Sequence, residues 1–259
     1  MGDSLYRCCG IVLITLAGLL GGCAATGAVS ESDKGGAASG VRFESGPARD
    51  PGVVGVAADE VLDGDRLGME FVAMDPAENA SMTLDRRGSA DGWAEVRREC
   101  SGAGGTVASQ TTLQRVGGGG EAIVEEVVNR ENVRVVYEPP MVSFPSSLTA
   151  GSEHRQRTRM TVHPLAEPER VKARGHVESV VTVVGAERVR TPAGEFDAVH
   201  LRHTFVADLA PARVTNTADR WYARRVGLIA ERRAERTTVA GVPIRSSAES
   251  WVLKAPPSR

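Results

Sequence analysis

Cysteine is scarce in this chain and is concentrated near its N-terminus. Of the 4 cysteines in 259 residues, Cys8, Cys9 and Cys23 come early and Cys100 lies far from them. Cys8 and Cys9 lie in an N-terminal run that we interpret as a cleaved signal, and Cys23 at its end is interpreted as modified. We therefore expect no intramolecular disulfide in the mature protein. The spacing also excludes a cysteine-based zinc site.

Aromatic residues and excess charge are also lacking. Aromatic side chains make up 4% of the chain, which does not fit a carbohydrate-binding face or a platform on which bases stack. The formal net charge is −2, with 31 basic and 33 acidic residues, so no strong field attracts polyanions. We therefore expect no nucleic-acid partner.

Motifs of catalysis, cofactor binding and metal binding are missing as well. The chain has no Gly-x-Ser-x-Gly elbow, and no Gly-Lys-Ser/Thr follows the four glycines 117–120. His200 and His203 point to opposite faces if they share a strand, so they cannot both bind one metal ion. We interpret His203 as a hydrogen-bonded residue at the core edge, or alternatively as part of a cavity wall. We predict no catalytic, cofactor-binding or metal-binding residues.

The N-terminus carries a secretory signal. A start containing Arg7 precedes an apolar run from Cys8 to Leu20, which is shorter than the roughly 20 residues that span a bilayer. The run ends in small residues, as a cleavable signal peptide does. We assign the signal peptide to residues 1–22.

The end of this signal has a further pattern. Leu20-Gly21-Gly22-Cys23 resembles the lipobox of bacterial lipoproteins. The resemblance implies cleavage before Cys23 and a diacylglyceryl group on its sulfur, so that lipid holds the protein at the bacterial cell envelope. No aspartate follows Cys23, which by analogy favours the outer membrane, facing the periplasm. The alternative is an uncleaved anchor in which Cys23 is an ordinary small residue.

Two further regions follow the signal. Residues 23–55 are rich in Gly, Ala and Ser and contain few large apolar residues, which predicts a flexible tether. Residues 56–259 contain short β-branched runs separated by turn residues and no strong amphipathic helix. We therefore predict one all-β domain built on an antiparallel sheet.

Some runs of this domain are open to two interpretations. Glu121–Asn129 fits a helical stripe or a strand, and we choose a strand because Asn132–Glu138 can return beside it. Glu125 and Glu126 interrupt this run, and we interpret them as a solvated face. The arginine-rich stretches, including 231–236, alternate with glutamate and are interpreted as solvated strand edges.

Two stretches of the C-terminal half carry a resemblance. Val189–Ala198 (VRTPAGEFDA) and Arg220–Arg232 (RWYARRVGLIAER) are similar to two hairpins of secreted bacterial proteins of unknown function. The likeness covers Pro139 to Arg236. It implies a curved antiparallel sheet or half-barrel around a hydrophobic cavity, like that of periplasmic lipoprotein carriers and lipid-binding lipoproteins.

Two functions follow as hypotheses. The first is a non-catalytic structural or partner-binding module that contacts envelope proteins. The alternative is binding or carriage of a hydrophobic ligand, such as a lipid or acyl chain, on a concave apolar face. That face is predicted to contain Val181, Val183, Val199, Leu201, Phe205 and Leu228. An enzyme is a third and weaker possibility, since no catalytic motif is present.

Overall fold

A computed structural model describes residues 44–55, 58–62, 68–74, 80–88, 91–102 and 105–255. The predicted signal peptide (1–22), the lipobox with Cys23, and the tether up to residue 43 lie outside these ranges.

The described chain consists almost entirely of β-strands. The strands are β1 (Glu44–Pro47), β2 (Met69–Ala73), β3 (Ser81–Gly88), β4 (Trp93–Gly102), β5 (Gly105–Val116), β6 (Gly120–Val128), β7 (Val133–Phe144), β8 (Glu153–Pro164), β9 (Ala173–Thr191), β10 (Gly194–Leu209), β11 (Ala212–Ala223), β12 (Gly227–Val239) and β13 (Val242–Leu253). One short helix, α1, spans Ala58–Leu62, and single 3-10 turns lie at Pro51–Val53, Gly117–Gly119 and Asn129–Glu131. The all-β prediction is confirmed, as is the strand chosen for β6.

The strands form a closed antiparallel barrel. Each described strand from β2 to β13 pairs with its neighbour in sequence, and β13 closes the ring by pairing with β2 through Trp251↔Ala73, Val252↔Val72 and Leu253↔Phe71. Twelve of the described strands make up this ring. The predicted curved sheet therefore curls further than a half-barrel.

The hairpin at 191–194 shows how local sequence sets a turn. The Ala193 N–H donates to Thr191 Oγ1 at 3.2 Å, and Gly194 has a φ of 136°, a conformation that side chains disfavour. The chain can therefore reverse tightly between β9 and β10.

The barrel interior holds two apolar clusters. The first core cluster includes Phe71, Met82, Leu84, Phe144, Leu148, Val199, Leu201, Tyr222, Leu228 and Trp251. The second core cluster includes Leu113, Ile123, Val135, Met141, Met160, Val177, Phe205, Leu209 and Val214. The six residues predicted for the concave apolar face are all buried.

Helix α1 packs at one end of the barrel. Its Ala58, Val61 and Leu62 side chains are buried in the first core cluster. The Arg225 N–H donates to the Glu60 carbonyl at 3.2 Å, which ties the helix to the turn between β11 and β12. In the described ranges no helix is long and apolar enough to cross a membrane.

The chain before α1 lies on the outside of the barrel. Glu44 and its neighbours in β1 pair with the second half of β9, where Glu44 lies opposite Arg190. The backbone N–H groups of Arg49 and Asp50 donate to the Asp197 carboxylate at 3.0 and 3.2 Å. The last twelve residues assigned to the tether are therefore in contact with the barrel.

Cys100 lies near the end of β4. Its side chain is buried, and its sulfur is disulfide-bonded. The expectation of no intramolecular disulfide concerns the mature protein, from which the signal peptide has been removed, and it stays a prediction.

Candidate functional site

Strand β12 carries charged residues on both of its faces. Glu231, Arg233 and Glu235 alternate along the strand and are buried inside the barrel, whereas Arg232 and Arg236 are exposed. The interpretation of this stretch as a solvated edge is therefore wrong for every second residue. Side chains of a strand alternate between two faces, so a polar run of this length must place half of its members inward.

Glu231 lies at the centre of the inward-facing charges. Its carboxylate is fully buried and accepts a hydrogen bond from Arg98 Nη2 at 2.6 Å. Arg220 Nε and Arg233 Nε lie 3.6 and 3.7 Å from its other oxygen. Burial alone opposes ionisation, but the three guanidinium charges outweigh it and hold the pKa of Glu231 far below its usual value.

A second buried carboxyl group behaves in the opposite way. Glu126 accepts a hydrogen bond from Tyr137 Oη at 2.7 Å, and burial raises the pKa of Glu126 to about 8. Glu126 is therefore mostly protonated at neutral pH. Its interpretation as a solvated residue is wrong, because only its neighbour Glu125 faces outward, where it pairs with Arg134 at 2.9 Å.

Together, Arg98, Glu126, Arg220, Glu231 and Arg233 form what we call the inner charged cluster. It lies beside a cavity of about 100 Å³ in the lumen. The polar lining consists of Arg98, Ser109, Thr111, Glu126, Ser143, Arg220 and Arg233. The apolar lining consists of Leu84, Val96, Leu113, Ile123, Tyr222 and Leu228, from both core clusters and their margin.

His203 faces the same lumen in an unusual state. It is buried, and neither of its ring nitrogens has a hydrogen-bond partner among the described residues. Burial, reinforced by the charges of Arg220 and Arg233, lowers the pKa of His203 to about 3. The interpretation of His203 as a hydrogen-bonded core-edge residue is therefore wrong, and the ring is neutral and faces inward.

Glu235 extends the polar lumen beyond the inner charged cluster. Its Oε2 accepts a hydrogen bond from Asn216 Nδ2 at 3.4 Å. Burial raises the pKa of Glu235 to about 7, so this carboxyl group is close to half protonated at neutral pH.

His200 belongs to a separate cluster on the outer face. Its ring stacks on Trp221 with centroids 4.4 Å apart, and its two nitrogens lie 2.8 Å from Glu187 and Asp219. The prediction that His200 and His203 point to opposite faces is confirmed. In the part of the chain that the structure describes, no group of three or more His, Cys, Asp or Glu is arranged to hold a metal ion.

The apolar residues of the lumen were predicted correctly from the sequence, whereas the charged residues of the same lumen were not. The missed signal is the alternation Glu231, Arg233, Glu235 on a strand whose opposite face is also polar. The one site residue predicted from the sequence, Cys23, lies outside the described residues.

Comparison with known proteins gives distant likenesses in structure only. No protein-family model matches the chain, and no curated protein does. One similar structure is a candidate exported protein with a YmcC-like fold from Bacteroides fragilis, at 14% identity and a TM-score of 0.38, covering 69% of this chain and 87% of that one. Another is a candidate lipoprotein from Parabacteroides distasonis, at 15% identity and a TM-score of 0.40, covering 76% and 97%. Neither likeness is near enough to bear on function.

Proposed function

We propose that this chain is a lipoprotein of the bacterial cell envelope, anchored through lipid on Cys23 to the outer membrane and facing the periplasm. Support comes from the apolar signal run and from the spacing of Leu20, Gly21, Gly22 and Cys23. Each buried acyl methylene contributes about 0.8 kcal/mol, so two or more chains anchor a protein stably.

In this proposal residues 1–22 are the signal peptide and the tether begins at Cys23. The composition of residues 24–43 supports a flexible spacer, which would span about 25 Å. The remainder of the tether, to residue 55, leads along the outside of the barrel domain that residues 56–259 form.

The barrel acts, we infer, as a non-catalytic structural or partner-binding module. The observation that carries this proposal is the small size of the cavity found in the described part of the lumen. The lumen cavity measures about 100 Å³, whereas sites for drug-sized ligands measure about 300–1,000 Å³. A lipid or a long acyl chain would not fit in this cavity, which disfavours lipid carriage there and favours a role for the outer surface.

Metabolic labelling with palmitate tests the anchor. The wild type should take up label, Cys23→Ala should not, and Cys100→Ala should label like the wild type. Globomycin, which blocks the lipoprotein signal peptidase, should cause the unprocessed lipidated precursor to accumulate. Equal labelling of the wild type and Cys23→Ala would contradict the proposal, as would absence of label from the wild type.

Photo-cross-linking in cells tests the partner-binding role. A cross-linking residue at Val242 or Ile244, which are 62% and 40% exposed, should capture discrete neighbouring proteins. The same residue placed at the buried Phe205 serves as the control. If no surface position captures a neighbour while lipid copurifies with the protein, the carrier alternative is favoured instead.

A further inference from the structure

The hairpin of β9 and β10 buries its outer face at the tip. Val189 lies opposite Phe196, which alternates with the lumen-facing Leu201 and therefore points outward. Val189 is nevertheless completely buried, whereas Arg190 and Glu195 on the other face of the tip are exposed. The tip therefore packs with its outer face against another part of the molecule.

The tip crosses two neighbouring strands. The Ala193 N–H donates to the Leu253 carbonyl at 3.3 Å. Leu253 ends β13, and β11 and β12 lie between β10 and β13 in the sheet. The tip must therefore bend over the ends of these two strands. The hairpin can bend because the register shifts between His200 and Leu201, and because Gly185 has a φ of 154° and no Cβ.

An apolar strip lies on the outer wall of the barrel. Trp221, Ala230 and Val252 are opposite one another on β11, β12 and β13. Ala230 alternates with the lumen-facing Glu231, so this row faces outward. All three residues are nevertheless buried, and they share the first core cluster with Val189 of the tip. We call them the outer strip, which the tip helps to cover.

Glu187 connects the tip to the wall. Its carboxylate accepts a hydrogen bond from Trp221 Nε1 at 2.9 Å and lies 2.8 Å from His200 Nδ1. The other ring nitrogen of His200 lies 2.8 Å from Asp219 of β11. These contacts are polar, and water can replace them at a small net free energy. The connection can therefore break without loss of apolar packing in the lumen.

The tip has little strand pairing to the rest of the barrel. β8 pairs with β9 only as far as Thr182, and β11 pairs with β10 only from Ala198. Beyond these points Glu187–Arg190 pair with β1 as well as with β10, and Glu44–Pro47 of β1 have no other described strand partner. The Asp197 carboxylate also holds the backbone of the chain that follows β1. β1 and the tip therefore form one three-stranded unit.

We propose that this unit, residues 44–50 and 187–197, is a hinged flap that opens about Gly185 and uncovers the outer strip while the barrel stays folded. Opening of one segment needs less free energy than global unfolding when it breaks few apolar contacts and few backbone hydrogen bonds. The flap goes beyond the proposed envelope role and does not depend on lipid at Cys23. Because the N-terminal part of the chain enters on the flap, a pull along that chain acts first on the flap.

Labelling of introduced cysteines tests the flap in full-length protein in detergent. Ala230 lies in the outer strip, Ala218 lies opposite the lumen-facing Arg233, and both alanines are completely buried. A maleimide probe, located by mass spectrometry of the labelled peptides, should modify Ala230→Cys about tenfold faster than Ala218→Cys under native conditions, or faster still. Equal rates would mean that the strip is exposed only when the barrel unfolds, and would overturn the proposal.

Changes at Glu187 test its connection to the wall. Added to Ala230→Cys, Glu187→Ala should increase the labelling rate about ten- to a hundredfold, as expected for loss of hydrogen bonds to a charged group. The rate for Ala218→Cys should stay unchanged. Glu178→Ala, a change at an exposed glutamate of the same strand, is the control and should have no effect. If Glu187→Ala does not fold, the milder Asp219→Asn weakens the same connection. An unchanged rate in the variant that folds would overturn the proposal.

Discussion

Replacing Glu126 by glutamine is expected to stabilise the barrel, with a gain that grows as the pH rises. Glutamine has the shape of a protonated glutamate, and its carbonyl oxygen can still accept the hydrogen bond from Tyr137 Oη. As the pH rises, the native protein must either keep Glu126 protonated or bury a charged carboxylate. Glutamine is neutral at every pH, so the variant does not bear this cost. The size of the effect follows from the pKa of Glu126 in the two states.

The sign of this dependence is fixed by proton binding. The pKa of Glu126 is about 8 in the folded protein and 4.5 in the reference state, so between these values the folded state binds more protons. The stabilising contribution of this carboxyl group is therefore fully present below pH 4.5 and is lost as the pH rises through 8. The full loss is about 5 kcal/mol, and about 2.5 kcal/mol of it falls between pH 5 and pH 7.

Urea unfolding at pH 5, 6, 7 and 8 measures this effect as the difference in unfolding free energy between Glu126→Gln and the wild type. The difference should increase steadily in favour of the variant. Glu125→Gln, on the outward face of the same strand, should show no such increase. A difference that is independent of pH, or that turns against Glu126→Gln at high pH, would mean that the three arginines keep Glu126 ionised and would refute the argument.

Three further predictions concern the same interior. His203 has a pKa of about 3 when folded and 6.5 as a free side chain, so its contribution to stability is lost as the pH falls from 6.5 towards 3. In urea unfolding, the unfolding free energy of His203→Leu minus that of the wild type should be about 2 kcal/mol larger at pH 5 than at pH 8. His154→Leu, a change at an exposed histidine, should show no such gain. Gly175→Ala should destabilise by about 1–3 kcal/mol in the same assay, because the new Cβ would overlap the Asp208 carbonyl oxygen, whereas Gly88→Ala has open space and should be neutral. Phe205→Ala should cost about 3–5 kcal/mol through the cavity that it leaves, and a loss below 1 kcal/mol would show that the second core cluster is loosely packed.

Local sequence was enough to predict most of the strands and several of their hairpins, although β7 continues through Pro139 and Pro140, where proline favours a break. Alternating β-branched residues in β6 and β10, and the turn residues around Gly194, act over a few positions and are visible without any tertiary contact. The same information predicted correctly that Val199, Leu201 and Phe205 share a buried face.

Closure of the sheet could not be predicted in this way. It depends on the pairing of β13 with β2, in which Trp251 lies opposite Ala73. These two residues are adjacent in the sheet but are separated by most of the domain's sequence. Three residue pairs make this contact, and none of them has a local pattern that names its partner. Sequence patterns therefore predict a curved sheet but do not predict whether its two edge strands pair with each other.

The inward charges were missed for a different reason. Each glutamate or arginine, taken singly, is most often exposed, so Glu126 and Arg233 were assigned to solvent. The alternation of β12 places Glu231 and Arg233 on the same face, and that face is enclosed because the barrel closes. The error follows directly from not knowing that the sheet closes, since an open sheet could have left this face in water.

The width of the barrel explains why such residues occur inside it. Eight strands enclose a lumen that side chains can just fill, and diameter grows with strand number, so a ring of twelve strands is wider than aliphatic side chains can span. Arginine and glutamate are longer, and Arg98 on β4 reaches Glu231 on β12, four strands away around the ring. The inner charged cluster thus joins parts of the wall that are not neighbours in the sheet. The cavity lies beside these groups, so its chemistry is set in part by the side chains that connect distant strands.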